Sequence, residues 1–236
     1  MLSTSLGEFI TTQNSASLLG LVPLNGADRR FNSIKGCRRC NHDLETLPYV
    51  LCHCMRYSRL YRDRHNAVVE RIKKAAAGRW QIMSEDRMID GQPLRPDLVL
   101  TNGDACIIID VTIPFDNRRD AFDRARREKE EKYRPLVDAL KNRFSNVRVE
   151  AIVVGALGSW DPKNDRVVRR LCSRKYAALM RKLAVSDTIR SSRDIYVEHV
   201  TGTRQNTVTG SRQNTVAGTR HNTARSNTGG ESRNDL

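Results

Sequence analysis

The run Ala105 to Ile113, ACIIIDVTI, limits the fold more than any other part of the chain. It is nearly continuous in apolar character, so it reads as a central strand covered on both faces. Pro114 ends it, because proline cannot donate to a ladder. Upstream lies a short strand at Leu98-Val99-Leu100, with Asn102-Gly103 between the two. Asn-Gly between β-like runs predicts a hairpin closed by a type I′ turn. A helix is expected over 57–77, where Leu60, Ala67, Val68 and Ile72 form an apolar stripe opposite Arg and Lys, and Gly78 stops it. A long helix is expected over 119–143, contacting the core through Phe122, Ala125, Leu136, Val137 and Leu140, with Pro135 marking a kink or break. Residues 147–154, VRVEAIVV, read as a further strand, followed by helices at about 164–184 and 187–197. The order is helix, hairpin, helix, strand, helix, which gives an α/β fold: a mixed sheet flanked by helices.

One residue of the central run is out of character. Asp110 is an acid among aliphatics, and an ionised carboxylate is costly to bury unless it is paired or bound to a metal. A two-residue loop at Asn102 and Gly103 opposes Thr101 to Asp104, Val99 to Cys106 and Asp97 to Ile108. Asp110 then becomes a diagonal neighbour of Asp97 on one face. Two carboxylates converging at a sheet end suit Mg²⁺ or Mn²⁺, alongside phosphate oxygens. Lys129 and Lys132 in RREKEEKY are three apart and share a face of the following helix. An ammonium there is suited to orient a nucleophilic water and to stabilise charge building on phosphorus.

Charge points the same way. Lys and Arg number 41 against 27 Asp and Glu, a net +14 over 236 residues, which favours a polyanionic partner. The apolar stretch Leu18 to Leu24 is interrupted by Gly20 and Pro23 and falls short of the roughly 20 residues a bilayer demands. The first residues lack the basic start of a secretory signal, so an intracellular, reducing location is expected and the six cysteines are not read as disulfides. Four of these crowd into Cys37 to Cys54, while Cys106 and Cys172 sit in apolar surroundings as expected core residues.

Pro96-Asp97, twelve intervening residues and Asp110-Val111-Thr112 together resemble the PD-(D/E)xK core of restriction-like endonucleases. Thr112 stands where that pattern usually has lysine. This departure resembles the nucleases of certain non-LTR retrotransposons, in which the lysine has moved to the next helix; Lys129 and Lys132 match that segment. Those proteins also carry a Cys-Cys-His-Cys knuckle followed by an Arg-rich helix. Here Cys37-x2-Cys40, Glu45-Thr46-Leu47-Pro48, Cys54 and Arg62-Asp63-Arg64-His65-Asn66 agree in order and spacing. The resemblance covers about residues 37–185. The family's histidine falls at Tyr49, a poor zinc ligand at neutral pH, so Zn²⁺ is expected on Cys37, Cys40, Cys54 and either His53 or Cys52.

The resemblance implies a restriction-endonuclease-like domain over 57–200, preceded by a knuckle-like segment over 37–56. Residues 1–36 are read as a linker or upstream remnant. Residues 201–236, with three imperfect copies of an eight-residue polar unit, are read as a disordered tail. The implied activity is metal-dependent nicking of target DNA in the nucleus, with Asp97, Asp110, Lys129 and Lys132 catalytic. Arg62, Arg64, His65, Lys73 and Lys74 would contact double-stranded DNA. The element's RNA and the reverse transcriptase portion of a longer parent protein are further implied partners. The alternative is a catalytically inactive, truncated remnant that only binds nucleic acid.

Overall fold

Helix α2, Ser58–Ala76, turns Val68, Val69, Ile72, Ala75 and Ala76 inward because these residues recur at helical spacing. They meet the aliphatics of a four-stranded sheet in the order β1-β2-β3-β4. The strands are β1, Gln81–Glu85; β2, Leu98–Asn102; β3, Ala105–Thr112; and β4, Asn146–Val153. The computed structural model describes residues 22–26, 35–89 and 91–203. Pairing is antiparallel for β1–β2 and β2–β3, and parallel for β3–β4. A parallel return needs a crossover, here supplied by α3, Arg118–Lys132, and α4, Arg134–Leu140.

The expected long helix is therefore two. Pro135 lies in the first turn of α4, where its missing N–H costs nothing, and Tyr133 takes the joint. Two further helices follow, α5, Asn164–Leu171, and α6, Arg174–Thr201. The division falls at Cys172-Ser173 rather than near residue 185, because the Ser173 hydroxyl caps α6 by accepting from the Tyr176 N–H. The short helix α1, Leu47–Cys52, starts on the same device: Thr46 accepts from the Tyr49 N–H and Pro48 sits in the first turn.

Three apolar clusters hold the molecule together. One face of the sheet (Leu98, Leu100, Ile107, Ile109, Ile152) packs on α2, α5 and α6. The other (Val99, Cys106, Ile108) packs on Tyr133, Leu136 and Leu140 of the crossover. β3 is thus covered on both sides, as its composition requires, and Cys106 and Cys172 are buried as expected. The third cluster joins Val50, Leu51, Cys54 and Tyr57 to Ala156 and Ile195, and takes in Val22 and Leu24. Val22 and Leu24 fall in the stretch read as a linker, so that reading is corrected for these residues: both are core. The repeats beyond Thr203 lie outside the described residues. Among the described residues no helix is long and apolar enough to cross a membrane.

The hairpin differs from expectation by two positions. Asn102 pairs with Ala105, Val99 with Ile108 and Leu98 with Ile109, so the loop is Gly103-Asp104. Positive φ occurs at Gly103 (54°) and not at Asp104, the pattern of a II′ turn with glycine first. A shift of two keeps every side chain on its face. Asp97, one step before β2, then falls opposite Asp110 rather than diagonal to it.

Candidate functional site

The two acids meet at the end of the β2–β3 ladder. Beyond Leu98 the Asp97 side chain takes over as acceptor: its Oδ2 receives the Val111 N–H at 2.6 Å. The preceding backbone is held by Tyr133, whose hydroxyl donates to the Arg95 carbonyl at 2.8 Å. Asp110 is buried, with its Oδ2 2.7 Å from Lys129 Nζ. Burial, and then the negative charge of Asp97, push the Asp110 carboxyl above its ordinary range, against the pull of Lys129. A buried acid whose ionisation a neighbouring acid opposes, at a sheet edge, fits a cation held between the two.

Helix α3 brings Lys129 to this place, and one turn earlier the same helix is bolted to the sheet. Arg126, 5% exposed, donates to the Ala151 carbonyl, to Asp161 Oδ2 from Nε (3.1 Å) and Nη2 (2.7 Å), and to Asn164 Oδ1 (2.7 Å). Ala151 is the residue of β4 that pairs with Asp110. The guanidinium therefore ties the lysine-bearing helix to the backbone beside the acid that the lysine meets. Sequence reading passed over Arg126 as one basic residue in a charged run. Lys132 does not join Lys129 at the carboxylate: its ammonium lies 3.0 Å from the Tyr133 hydroxyl.

His65 enters from α2. Its Nε2 lies 3.0 Å from Asp97 Oδ2 and 3.2 Å from the Val111 carbonyl oxygen. Burial lowers its basicity, but the Asp97 carboxylate outweighs that and holds His65 above its ordinary pKa. Read from sequence as a DNA contact, His65 is instead a member of the acid site.

The other expected DNA contacts divide. Arg62 and Lys74 are exposed. Lys73 is engaged by Glu70 and Glu85, each at 2.8 Å. Arg64 is a correction: it is 2% exposed and donates to the Ser192 hydroxyl (2.8 Å) and the Leu51 carbonyl (2.9 Å). It joins the knuckle segment, α2 and α6 from inside, where no phosphate reaches. Arg64→Ala is expected to cost about 2–4 kcal/mol, since it strands a buried acceptor and opens a cavity. Urea unfolding checks this, and an unchanged midpoint refutes the structural role.

The cysteine cluster forms in part as expected. Cys54 Sγ is 4.0 Å from Cys37 Sγ and 3.7 Å from Cys40 Sγ. A tetrahedral zinc with bonds of about 2.3 Å places its sulfurs roughly 3.8 Å apart, so the three thiols fit that ion. Burial pushes Cys54 up to about 12, which a bound cation would reverse. Tyr49 stands 3.0 Å from Cys40 Sγ, and its hydrogen bond draws that thiol down. The expected fourth donors are corrected. Cys52 faces the Ile113 carbonyl at 4.0 Å, and His53 is exposed; neither belongs to the cluster of Cys37, Cys40 and Cys54.

Over 158 residues, 64% of its length, the chain is 30% identical to a protein of Popillia japonica described as "Retrovirus-related Pol polyprotein from type-1 retrotransposable element R2". The match spans about a third (33%) of that relative. No family model matches the chain. The similarity relates the chain to a retrotransposon Pol polyprotein, and a zinc-compatible trio of cysteines accompanies a mixed four-stranded sheet flanked by helices.

Proposed function

We propose that this chain is the nuclease part of a retroelement protein, with a restriction-like fold, and that it nicks double-stranded target DNA. The observation that carries the reading is the meeting of Asp97, Asp110 and Lys129, drawn from three elements to one end of the sheet. Asp97 and Asp110 are the residues that would hold Mg²⁺ or Mn²⁺. Such an ion, when bound, supplies Lewis-acid stabilisation of charge on the phosphate. Lys129, as an ammonium, is placed to orient the attacking oxygen and to stabilise charge building on the phosphate once Asp110 has another partner. His65 holds Asp97 from the far side. Arg62 and Lys74 offer exposed charge to DNA phosphates, which makes binding steeply salt-dependent. Arg62→Ala should weaken DNA binding for all sequences alike and lower the salt slope by about 1; an unchanged slope removes Arg62 from the interface.

The product is a strand with a free 3′ hydroxyl, suited to prime reverse transcription by the remainder of a longer parent protein in the nucleus, with the element's RNA as template. The test is supercoiled plasmid with Mg²⁺, beside Asp97→Ala, Asp110→Ala and an EDTA control. Nicking by the parent chain alone supports the assignment, and equal nicking by all three proteins sinks it. A second reading, a remnant that binds without cutting, is favoured by Tyr49 in the knuckle; DNA binding with no nicking under any divalent ion supports it.

A further inference from the structure

A three-thiol zinc site leaves one position open, and structural sites close it with a fourth protein donor. Of the candidates within the segment itself, Cys52 faces the Ile113 carbonyl, His53 is exposed, the exposed His42 is stacked on the Tyr49 ring, and Tyr49 is a weak donor whose hydroxyl is occupied by Cys40. A different histidine stands beside the cluster. His199, near the C-terminal end of α6, is fully buried (0% exposed); its Nε2 faces a Glu45 carboxylate oxygen at 3.3 Å, and its Nδ1 has no hydrogen-bond partner. A fully buried imidazole with a ring nitrogen left unsatisfied is costly and calls for an explanation. Its donor atom lies within 4.8 Å of Cys37 Sγ and of a Glu45 carboxylate oxygen, so Cys37 is the member common to this group and to the thiol trio, and closing the site on all three thiols draws the ring toward Cys40 and Cys54.

The surroundings fit a ligand in waiting. Glu45 is itself fixed: Oε1 accepts the Asn25 N–H (3.1 Å), Oε2 accepts the Arg38 N–H (2.6 Å), and the Arg38 guanidinium neutralises it at 2.8 Å. It stands 3.3 Å from His199 Nε2. A carboxylate behind a histidine is the common arrangement that sets the tautomer and orientation of a metal-binding imidazole. The knuckle loop already grips the same turn of helix, since Arg39 Nε donates to the His199 carbonyl at 2.9 Å.

We infer that His199 is the fourth zinc donor, with Cys37, Cys40 and Cys54, and that Glu45 orients it. The metal then staples the knuckle to the end of α6, some 160 residues along the chain. The inference rests on the zinc reading of the cysteines, and the experiment separates the two. Zinc content and zinc-edge X-ray absorption are measured on the full chain, on His199→Cys and on Glu45→Gln. The expected results are one zinc with three sulfurs and one imidazole in the parent, and four sulfurs in His199→Cys. Glu45→Gln should bind on the order of 10–100-fold more weakly. One zinc whose imidazole signature persists in His199→Cys overturns the assignment of His199 while leaving the zinc site standing. A parent chain that takes up no zinc overturns both.

Discussion

Asp110→Asn should abolish nicking and leave the protein at least as stable as before. The loss of activity is expected to be at least about 100-fold, the scale seen when one group that stabilises transition-state charge is removed. The stability follows from the sign of the shift. Burial and the charge of Asp97 raise the folded-state pKa of Asp110 above its unfolded value. Its contribution to stability is then full below the unfolded pKa and declines as pH rises toward the folded one. At neutral pH the ionised form is a cost that asparagine removes, while the freed Lys129, half-buried, can turn to water. Activity runs the other way. Metal binding needs the ionised carboxylate, so the Mg²⁺ requirement should rise as pH falls through the raised Asp110 pKa. Protonation of His65, whose pKa is also raised, adds to the same acid-side loss. Nicking rates against Mg²⁺ at several pH values, with thermal melts of both proteins, check this. A destabilised and still active Asn variant would refute the catalytic assignment.

The largest loss of stability is expected from Arg126→Ala. It breaks a buried pair with Asp161 and removes the donors to Ala151 and Asn164 at once. Removing one partner of a buried pair leaves the other charge uncompensated, at about 3–5 kcal/mol. For a domain of this size that lowers Tm by roughly 6–20 °C. The second consequence is functional. With the bolt gone, Lys129 loses its fixed place over Asp110, and a misplacement of about 1 Å costs on the order of 100-fold in rate. Combining Arg126→Ala with Asp161→Ala should recover part of the stability, because the stranded carboxylate is gone, and none of the activity. A strictly additive double variant, read by calorimetry, would show that the pair does not act as a unit.

Sequence patterns reached the parts of this fold in which one residue type dominates a whole element. The β3 run could only be a covered strand. The hairpin was legible in parity, which is why Asp97 and Asp110 share a face even though Gly103-Asp104, not Asn102-Gly103, makes the turn. β1 escaped because an edge strand need not alternate: QIMSE is polar at both ends and carries an irregularity between Ile82 and Ser84, features that also blunt its free edge. Arg64 and His65 show the harder limit. They are adjacent in an Arg-rich helix, yet one is sealed under Leu51 and Ser192 and the other meets Asp97. One residue step along a helix separates their directions by about 100°, and only the neighbouring elements decide which direction is inside. His199 and Arg126 were invisible for the same reason: their partners are distant in the chain.

The cluster that joins Val50, Leu51 and Cys54 to Ala156 and Ile195 leaves no hinge between the cysteine segment and the sheet. A nuclease whose grip and blade swing independently cuts over a spread of positions. On the proposed nuclease reading, the cysteine segment and the cutting site are cast in one piece, so the span from any phosphates held there to the cut phosphate would be a fixed gauge. On any DNA the protein holds, the nick should fall at a constant offset from the protected footprint, and changing that offset would require recasting the core rather than lengthening a linker.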